Sequence, residues 1–195
     1  MRCYRVPFST NVERVALAAG HKRIALEWID VDPDDRSLVE AASGQPLVPV
    51  LLDGDEVIAD SPRILLHLEE RFPEPPLLPA SPARRAEVLV FCDWFNETWK
   101  RPPNRIAARG HDDAQAARML EALRLFEGLL DGRDYLFGDF GLADVTAFPF
   151  LKYAAFGRSD EDTDPFHEVL VRYQPLATGS PLRAWAERVD AHPRS

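Results

Sequence analysis

Where one predicted helix begins, the sequence carries residue types suited to holding the end of an amino acid. Asp60 and Ser61 precede Pro62, which fits the first turn of a helix. The N–H groups and partial positive charge at a helix start favour a carboxylate, while the Asp60 carboxylate favours an ammonium group. These residues could therefore grip an amino acid end, although Ser61 could also serve only as the N-cap of the helix.

A proline at the start of a nearby predicted strand suggests a second contact for an extended ligand. In the stretch LVPV, Pro49 has no N–H group and cannot donate to a sheet. In a cis peptide it would turn the backbone of Val48 outward, where this residue could pair with a peptide. The ordinary alternative is a proline that merely ends a loop.

The first third of the chain has to position these residues, and its pattern opens with a βαβ unit. Cys3–Val6 predicts a strand that Pro7 ends. From Asn11, apolar residues at helical spacing predict a helix that Gly20 closes as a left-handed C-cap. Alternating apolar residues then predict a second strand over residues 24–28.

A ββα unit follows. Val48–Leu52 and Glu56–Ala59 are rich in strand-forming residues and flank a turn signal at residues 53–55, which predicts an antiparallel hairpin. The helix that begins at Ser61 has an apolar face and ends before Pro73. The fold class is therefore α/β in this part of the chain.

The rest of the chain predicts a helical bundle behind a proline-rich linker. The segment PEPPLLPASP at residues 73–82 can continue neither helix nor sheet. Every strong pattern beyond it is helical, including a stripe that contains Phe95 and Trp99, which could line a pocket or pack in the bundle core. We therefore predict an α/β domain at residues 1–79 and an all-α domain at residues 82–195.

Composition excludes several classes of function. The net charge of −9, with scattered Lys and Arg, disfavours nucleic-acid binding. No apolar run approaches the ~20 residues of a membrane span and no signal peptide is recognisable, so we expect a cytoplasmic protein. Cys3 and Cys92 form no CxxC pair, and the five histidines show no metal-ligand spacing, so neither a disulfide nor a metal is expected.

These motifs together resemble the cytosolic glutathione transferases. The resemblance rests on the βαβ–ββα order, on VPV before the hairpin, and on the acidic residue and serine that open the next helix. It extends to RFPEPPLLP at the end of the first domain and to YLFGDFGLADVTAFPFL in the second, although Gly141 stands where a Ser or Thr cap is usual. The resemblance implies a thioredoxin-like glutathione-binding domain, an all-helical domain and a homodimer.

The resemblance also implies roles for the residues described above. The position of Val48 pairs with the cysteinyl backbone of glutathione, Pro49 is the cis proline, and the positions of Asp60 and Ser61 hold the γ-glutamyl end. Gln45 could reach the glycyl carboxylate or could simply be solvated.

The spacing from Pro7 through Ser9 to Val15 resembles the delta and theta-like classes, in which a serine hydroxyl points at the glutathione sulfur. A hydroxyl at a helix N-terminus stabilises thiolate, and a fall of ~2 units from a free-thiol pKa near 8.5 makes thiolate dominant at neutral pH. Thr10 is the main alternative, and Tyr4 a weaker one because it lies within the first strand. Ser9 could also cap the helix, unless Asn11 does.

The function expected from these residues is a glutathione transferase that attacks a small, partly apolar electrophile. A glutathione-dependent isomerase or dehalogenase on the same fold stays open, as does the use of another small thiol. A non-catalytic interaction module with this fold is the alternative from a different class. Arg63, close to the predicted binding end, has no assigned role.

Overall fold

Four short strands form a mixed sheet in the N-terminal part of the protein, whose computed structural model describes all 195 residues. The strand order is β2-β1-β3-β4, with β1 parallel to β2 and antiparallel to β3, and with β3 antiparallel to β4. The elements in chain order are β1 (Arg2–Arg5), α1 (Thr10–His21), β2 (Glu27–Asp30), α2 (Ser37–Ser43), β3 (Val50–Asp53), β4 (Glu56–Ala59) and α3 (Ser61–Arg71).

This order confirms the predicted βαβ and ββα units, with one addition and several shifted boundaries. Helix α2 lies in a polar stretch for which no helix was predicted. The hairpin strand β4 has the predicted limits, whereas β2 begins at Glu27, later than predicted. Strand β1 contributes Cys3 and Tyr4 to the core on opposite faces of the sheet, because side chains alternate along a strand.

The chain divides into two units, of which the first contains Met1–Leu77 together with His192–Ser195. The predicted domain limits had put residues 192–195 with the helical domain. Ser195 is hydrogen-bonded to Ala16, Leu26 and Trp28, which all belong to the first unit.

Gly20 is not the left-handed C-cap that its position predicted, because α1 continues through it to His21. Glycine is required at position 20 because of a contact with a segment distant in sequence. A Cβ atom on Gly20 would lie 2.1 Å from the carbonyl oxygen of Pro193. Only a residue without a side chain allows the segment 192–195 to lie this close to α1.

A buried ion pair fixes the end of α1 to α3. Lys22 Nζ lies 2.6 Å from Glu69 Oε2, with both side chains almost fully buried. Lys22 also donates to the carbonyl oxygens of Phe72 and Pro75, and Glu69 accepts from the N–H of Leu77. The pair is therefore fully hydrogen-bonded, as a buried charge requires, and it orders the proline-rich segment that follows α3.

The second unit, Leu78–Ala191, is all-helical. Its elements are α4 (Pro82–Trp94), a π-helical segment (Phe95–Trp99), α5 (Arg101–Arg109), α6 (Asp113–Leu129), α7 (Leu142–Phe156), α8 (Pro165–Arg172) and α9 (Pro181–Asp190). Side chains of Asp112, Asp164 and Ser180 cap α6, α8 and α9 respectively. No helix in either unit is long and apolar enough to span a bilayer.

Asp144 organises the start of α7, where Gly141 occupies the N-cap position. Its carboxylate accepts the N–H groups of Leu136 and Gly141 at 3.0 Å each, and the indole N–H of Trp185 at 2.8 Å. Burial raises the pKa of Asp144 from 3.8 to about 6, against the lowering effect of these hydrogen bonds.

The contact at Gly20 predicts opposite effects of alanine at two helical glycines. Gly20→Ala should lower the free energy of unfolding by ~1–3 kcal/mol, because the new methyl group collides with the backbone of Pro193. Gly128→Ala in α6 is the matched control, since a Cβ there meets nothing, and it should raise stability by up to about 1 kcal/mol. Urea unfolding measures both changes, and equal effects at the two positions would contradict the packing explanation.

The raised pKa of Asp144 predicts how stability depends on pH. The folded state binds this proton more tightly than the unfolded chain does, so the contribution of Asp144 to stability falls as the pH rises from 3.8 to about 6. Asp144→Asn should remove this slope of up to about 1.4 kcal/mol per pH unit. Urea unfolding of the parent and the variant between about pH 4 and about pH 7.5 measures it; parallel stability curves would contradict the assignment.

Candidate functional site

The segments that were predicted to bind a ligand lie at one end of the sheet. In the antiparallel register, Tyr4 pairs with Val50 and Val50 with Ala59. The chain leaves β1, enters β3 and leaves β4 at that same end. The register therefore brings together the residues after β1, before β3 and after β4, which are Ser9, Val48, Pro49, Asp60 and Ser61.

Ser9 caps α1. Its Oγ accepts the N–H of Val12 at 3.3 Å, and its carbonyl oxygen accepts the N–H of Glu13. The side chain is half-buried, and its hydroxyl hydrogen donates to no group of the protein. A donor thus remains at the positive end of the helix dipole, which is the arrangement that favours a bound anion.

The two alternatives to Ser9 lie in more enclosed positions. Thr10 is the first helical residue and is only 6% exposed. Tyr4 belongs to the core cluster that also contains Val31, Val39 and Val50. Of these three hydroxyl residues, Ser9 is the most accessible to a ligand.

Phe8 is a neighbour that the sequence analysis did not single out. Its ring is 45% exposed, and its backbone φ of 60° lies in the left-handed region, which is unusual for a bulky residue. An exposed aromatic ring directly before Ser9 is suited to contact the apolar part of a substrate.

The peptide bond between Val48 and Pro49 is cis, as the family resemblance implied. Neither the N–H nor the C=O of Val48 makes a hydrogen bond within the chain. Val48 is half-buried, so these groups are placed where an extended ligand could pair with them.

Helix α3 begins at Ser61, and the N-cap position belongs to Asp60 rather than to Ser61 as predicted. The Asp60 side chain does not cap the helix, is exposed and forms no ion pair within the chain. Its backbone has φ 71° and ψ 124°, a conformation that residues other than glycine rarely adopt. Strain of this kind typically occurs where a side chain has a functional role.

Ser61 is instead bonded to α1 through a buried arginine that sequence analysis missed. Arg14 Nη1 donates to Ser61 Oγ at 3.2 Å and to Asn11 Oδ1 at 3.3 Å, and Ser61 Oγ donates to Asn11 Oδ1 at 3.3 Å. Arg14 is fully buried. The signal that could have revealed it is a charged residue among the apolar positions of α1.

Gln45 bonds within its own loop. Its amide donates to the carbonyl oxygen of Leu47 at 2.9 Å and accepts the N–H of Leu47 at 2.7 Å. Its contact with a ligand carboxylate stays a prediction. Arg63, on the exposed side of α3, forms no ion pair within the chain.

In the helical unit, Phe95 and Trp99 are core residues. Their rings stack at 4.3 Å, and both also contact Phe126 and Phe150. Trp99 also lines a cavity of about 450 Å³, together with Trp94, Pro102 and Met119. Of the two interpretations that the sequence left open, core packing accounts for Phe95.

Other nucleophiles and metal ligands do not converge on the site. Burial raises the pKa of the Cys3 thiol to about 12, which keeps it protonated. No group of three or more His, Cys, Asp or Glu side chains is arranged to hold a metal ion. The residues gathered at this end of the sheet offer hydroxyl, backbone and carboxylate groups.

Each of the two units matches a model of a known protein family. Residues 4–76 match the family model described as glutathione S-transferase, N-terminal domain, and residues 85–188 match glutathione S-transferase, C-terminal domain. The chain is 33% identical to maleylacetoacetate isomerase of Pseudomonas aeruginosa over 178 residues, which are 80% of this chain and 81% of that protein.

Two further similarities extend the comparison. The chain is 32% identical to FtsZ-localized protein A of Caulobacter vibrioides over 169 residues, 76% of this chain and 74% of that protein. The crystal structure of a tau class glutathione S-transferase from mango has a TM-score of 0.81 at 21% identity, covering 98% of this chain and 89% of that one. The latter similarity shows the fold.

The backbone at Asp60 predicts that glycine stabilises the protein there. Asp60→Gly should raise the free energy of unfolding by about 1 kcal/mol, because glycine adopts positive φ without a Cβ penalty. Asp55→Gly, in the exposed hairpin turn, is the matched control. The φ of Asp55 is negative, so glycine there only adds conformational freedom to the unfolded chain and should lower the free energy of unfolding by about 0.5–1 kcal/mol. Urea unfolding of both variants tests this, and a loss of stability at Asp60 would refute it.

Proposed function

The chain belongs to the glutathione S-transferase family, whose members are enzymes that use glutathione, and we propose that it activates the glutathione thiol through Ser9. The thiolate then attacks a small electrophilic, partly apolar substrate. The observation that carries the proposal is the hydroxyl of Ser9, which has an undonated hydrogen at the N-terminus of α1.

The remaining site residues support this role by the parts of glutathione that they suit. The free N–H and C=O groups of Val48 suit the cysteinyl backbone, as in an added strand. The Asp60 carboxylate suits the ammonium group of the γ-glutamyl end, and the N–H groups at the start of α3 suit its carboxylate. With both ends held, the sulfur lies at the start of α1.

The chemical contribution of this arrangement is a ready nucleophile. A hydrogen bond from Ser9 and the dipole of α1 both stabilise the thiolate more than the thiol. A fall of ~2 pKa units, about 2.7 kcal/mol, makes thiolate the main form at neutral pH. Phe8 offers an apolar surface for the substrate beside that sulfur.

A second reaction is favoured by a specific similarity, the 33% identity to maleylacetoacetate isomerase. In an isomerisation of this class, the thiolate adds to one carbon of an activated double bond. Rotation about the resulting single bond and expulsion of the thiolate then give the other isomer. Glutathione is regenerated, so the same Ser9 hydroxyl serves both reactions.

The similarity to FtsZ-localized protein A keeps an interaction module as a further candidate. We also propose a homodimer, because this is typical of the family. Exposed apolar side chains that could contribute to an interface include Val57 and Leu66 in the first unit and Val90 in the second.

The proposal predicts that Ser9→Ala impairs thiol activation more than binding. The kcat/KM for conjugation of a chloronitrobenzene should fall by about tenfold or more, and the pKa of the bound thiol should rise toward about 8.5, because the donor to the sulfur is lost. Ser9→Thr keeps the hydroxyl and should retain activity. Ultraviolet absorbance of the thiolate, measured against pH, gives the pKa directly.

Thr10→Ala is the control, because this neighbour is buried. Loss of turnover in Thr10→Ala with an active Ser9→Ala would refute the assignment to Ser9.

A parent protein that neither binds immobilised glutathione nor conjugates would favour the interaction module. Isomerisation of a conjugated cis-diacid without consumption of glutathione would identify the isomerase.

A further inference from the structure

The segment His192–Ser195 lies along helix α1, the helix that carries Ser9. The N–H of Ser195 donates to the carbonyl oxygen of Ala16 at 3.1 Å, and Ser195 Oγ accepts the N–H of Leu26 at 2.8 Å. The indole N–H of Trp28 donates to the Ser195 carbonyl oxygen at 2.9 Å. Three hydrogen bonds thus fix this segment to α1 and to the start of β2.

At the other end of the segment, close packing of Pro193 against α1 fixes the backbone. Pro193 approaches Gly20 so closely that no side chain fits between them. The imidazole rings of His192 and His21 lie 6.1 Å apart. Arg194, between these two anchored ends, is therefore held in one position beside α1.

Arg194 forms an ion pair with Glu13. Its Nη2 lies 3.2 Å from Glu13 Oε1, and the two side chains are 27% and 18% exposed. Such partial burial reduces screening by solvent. The pair is thus stronger than a fully exposed one.

Glu13 lies one helical turn after Ser9, to whose carbonyl oxygen its N–H donates at 3.0 Å. Ser9 is the N-cap residue and Glu13 the fourth residue of α1, so both belong to the first turn of the helix. A helical side chain also leans toward the N-terminus of its helix. A Glu13 carboxylate without its arginine would direct a negative charge toward the site of the thiolate.

We propose that Arg194 is a positioning residue for thiol activation, which holds the carboxylate of Glu13 and neutralises its charge beside the thiolate at Ser9. The inference rests on the proposed function. The other charged groups that flank this region are Arg14 on α1 and Asp60 before α3, and His192 and His21 lie at the far end of the segment.

Arg194→Gln should raise the pKa of the bound glutathione thiol by about half a unit to one unit, because Glu13 then loses the positive charge of Arg194. Arg194→Lys keeps the charge and should stay close to the parent. The double variant Arg194→Gln with Glu13→Gln should restore the parent pKa. Glu13→Gln alone should leave the pKa unchanged or lower it, since the cation remains.

The control is Arg71→Gln, which removes the same charge from the last residue of α3, where the side chain of Arg71 is 61% exposed and pairs with Asp53 of β3. It should leave the thiol pKa unchanged. The measurement is thiolate absorbance against pH, with His192→Asn included so that titration of the imidazole pair is separated from that of the thiol.

The outcomes separate this inference from the proposed function. A parent without a lowered thiol pKa contradicts both. A lowered parent pKa that Arg194→Gln leaves unchanged contradicts the role of Arg194 only. A rise that Glu13→Gln fails to reverse also overturns it, because the effect would then arise from packing and not from the charge of Glu13.

Discussion

The site depends first on the buried guanidinium of Arg14, which bonds to Asn11 on its own helix and to Ser61 at the start of α3. Ser61 also donates directly to Asn11, so three side chains join the two helix starts. At the other end of the helix pair, Lys22 and Glu69 form a second buried connection. The two links align α1 and α3 in the same direction, so that both positive helix ends lie at the same end of the sheet.

This alignment has a cost that the rest of the unit has to offset. Taking charged groups out of water is expensive, and a buried ion pair often adds little net stability. The strained backbones of Asp60 and Phe8 add about 1 kcal/mol or more each. Phe8 and Asp60 flank the candidate site, whereas Arg23, the third non-glycine residue with positive φ, follows the end of α1.

Local patterns predicted the elements whose structure is determined locally. The turn signal at residues 53–55 and the alternation beside it gave β4 its correct limits, and the cis bond at Pro49 followed from the family resemblance. Helix α2 was missed because its seven residues are mostly small or polar and form no long apolar stripe. Gly20 was misinterpreted because the C-cap rule considers only neighbours in sequence, whereas its cause, Pro193, lies 173 positions away.

A charged residue among apolar positions marks Arg14 in the sequence, but neither Arg14 nor the segment 192–195 shows there which distant residues it contacts. Both act on α1, which is also bonded to α3 through Lys22. The helix that carries Ser9 is therefore held along its whole length, whereas Asp60 is an exposed side chain held by its backbone alone. Under the proposed function, damage to the contacts of α1 would affect thiol activation and hence kcat, while damage at Asp60 would weaken binding of the γ-glutamyl end. The two halves of the site thus depend on different supports, which are joined where Arg14 and Asn11 meet Ser61 and where Lys22 meets Glu69.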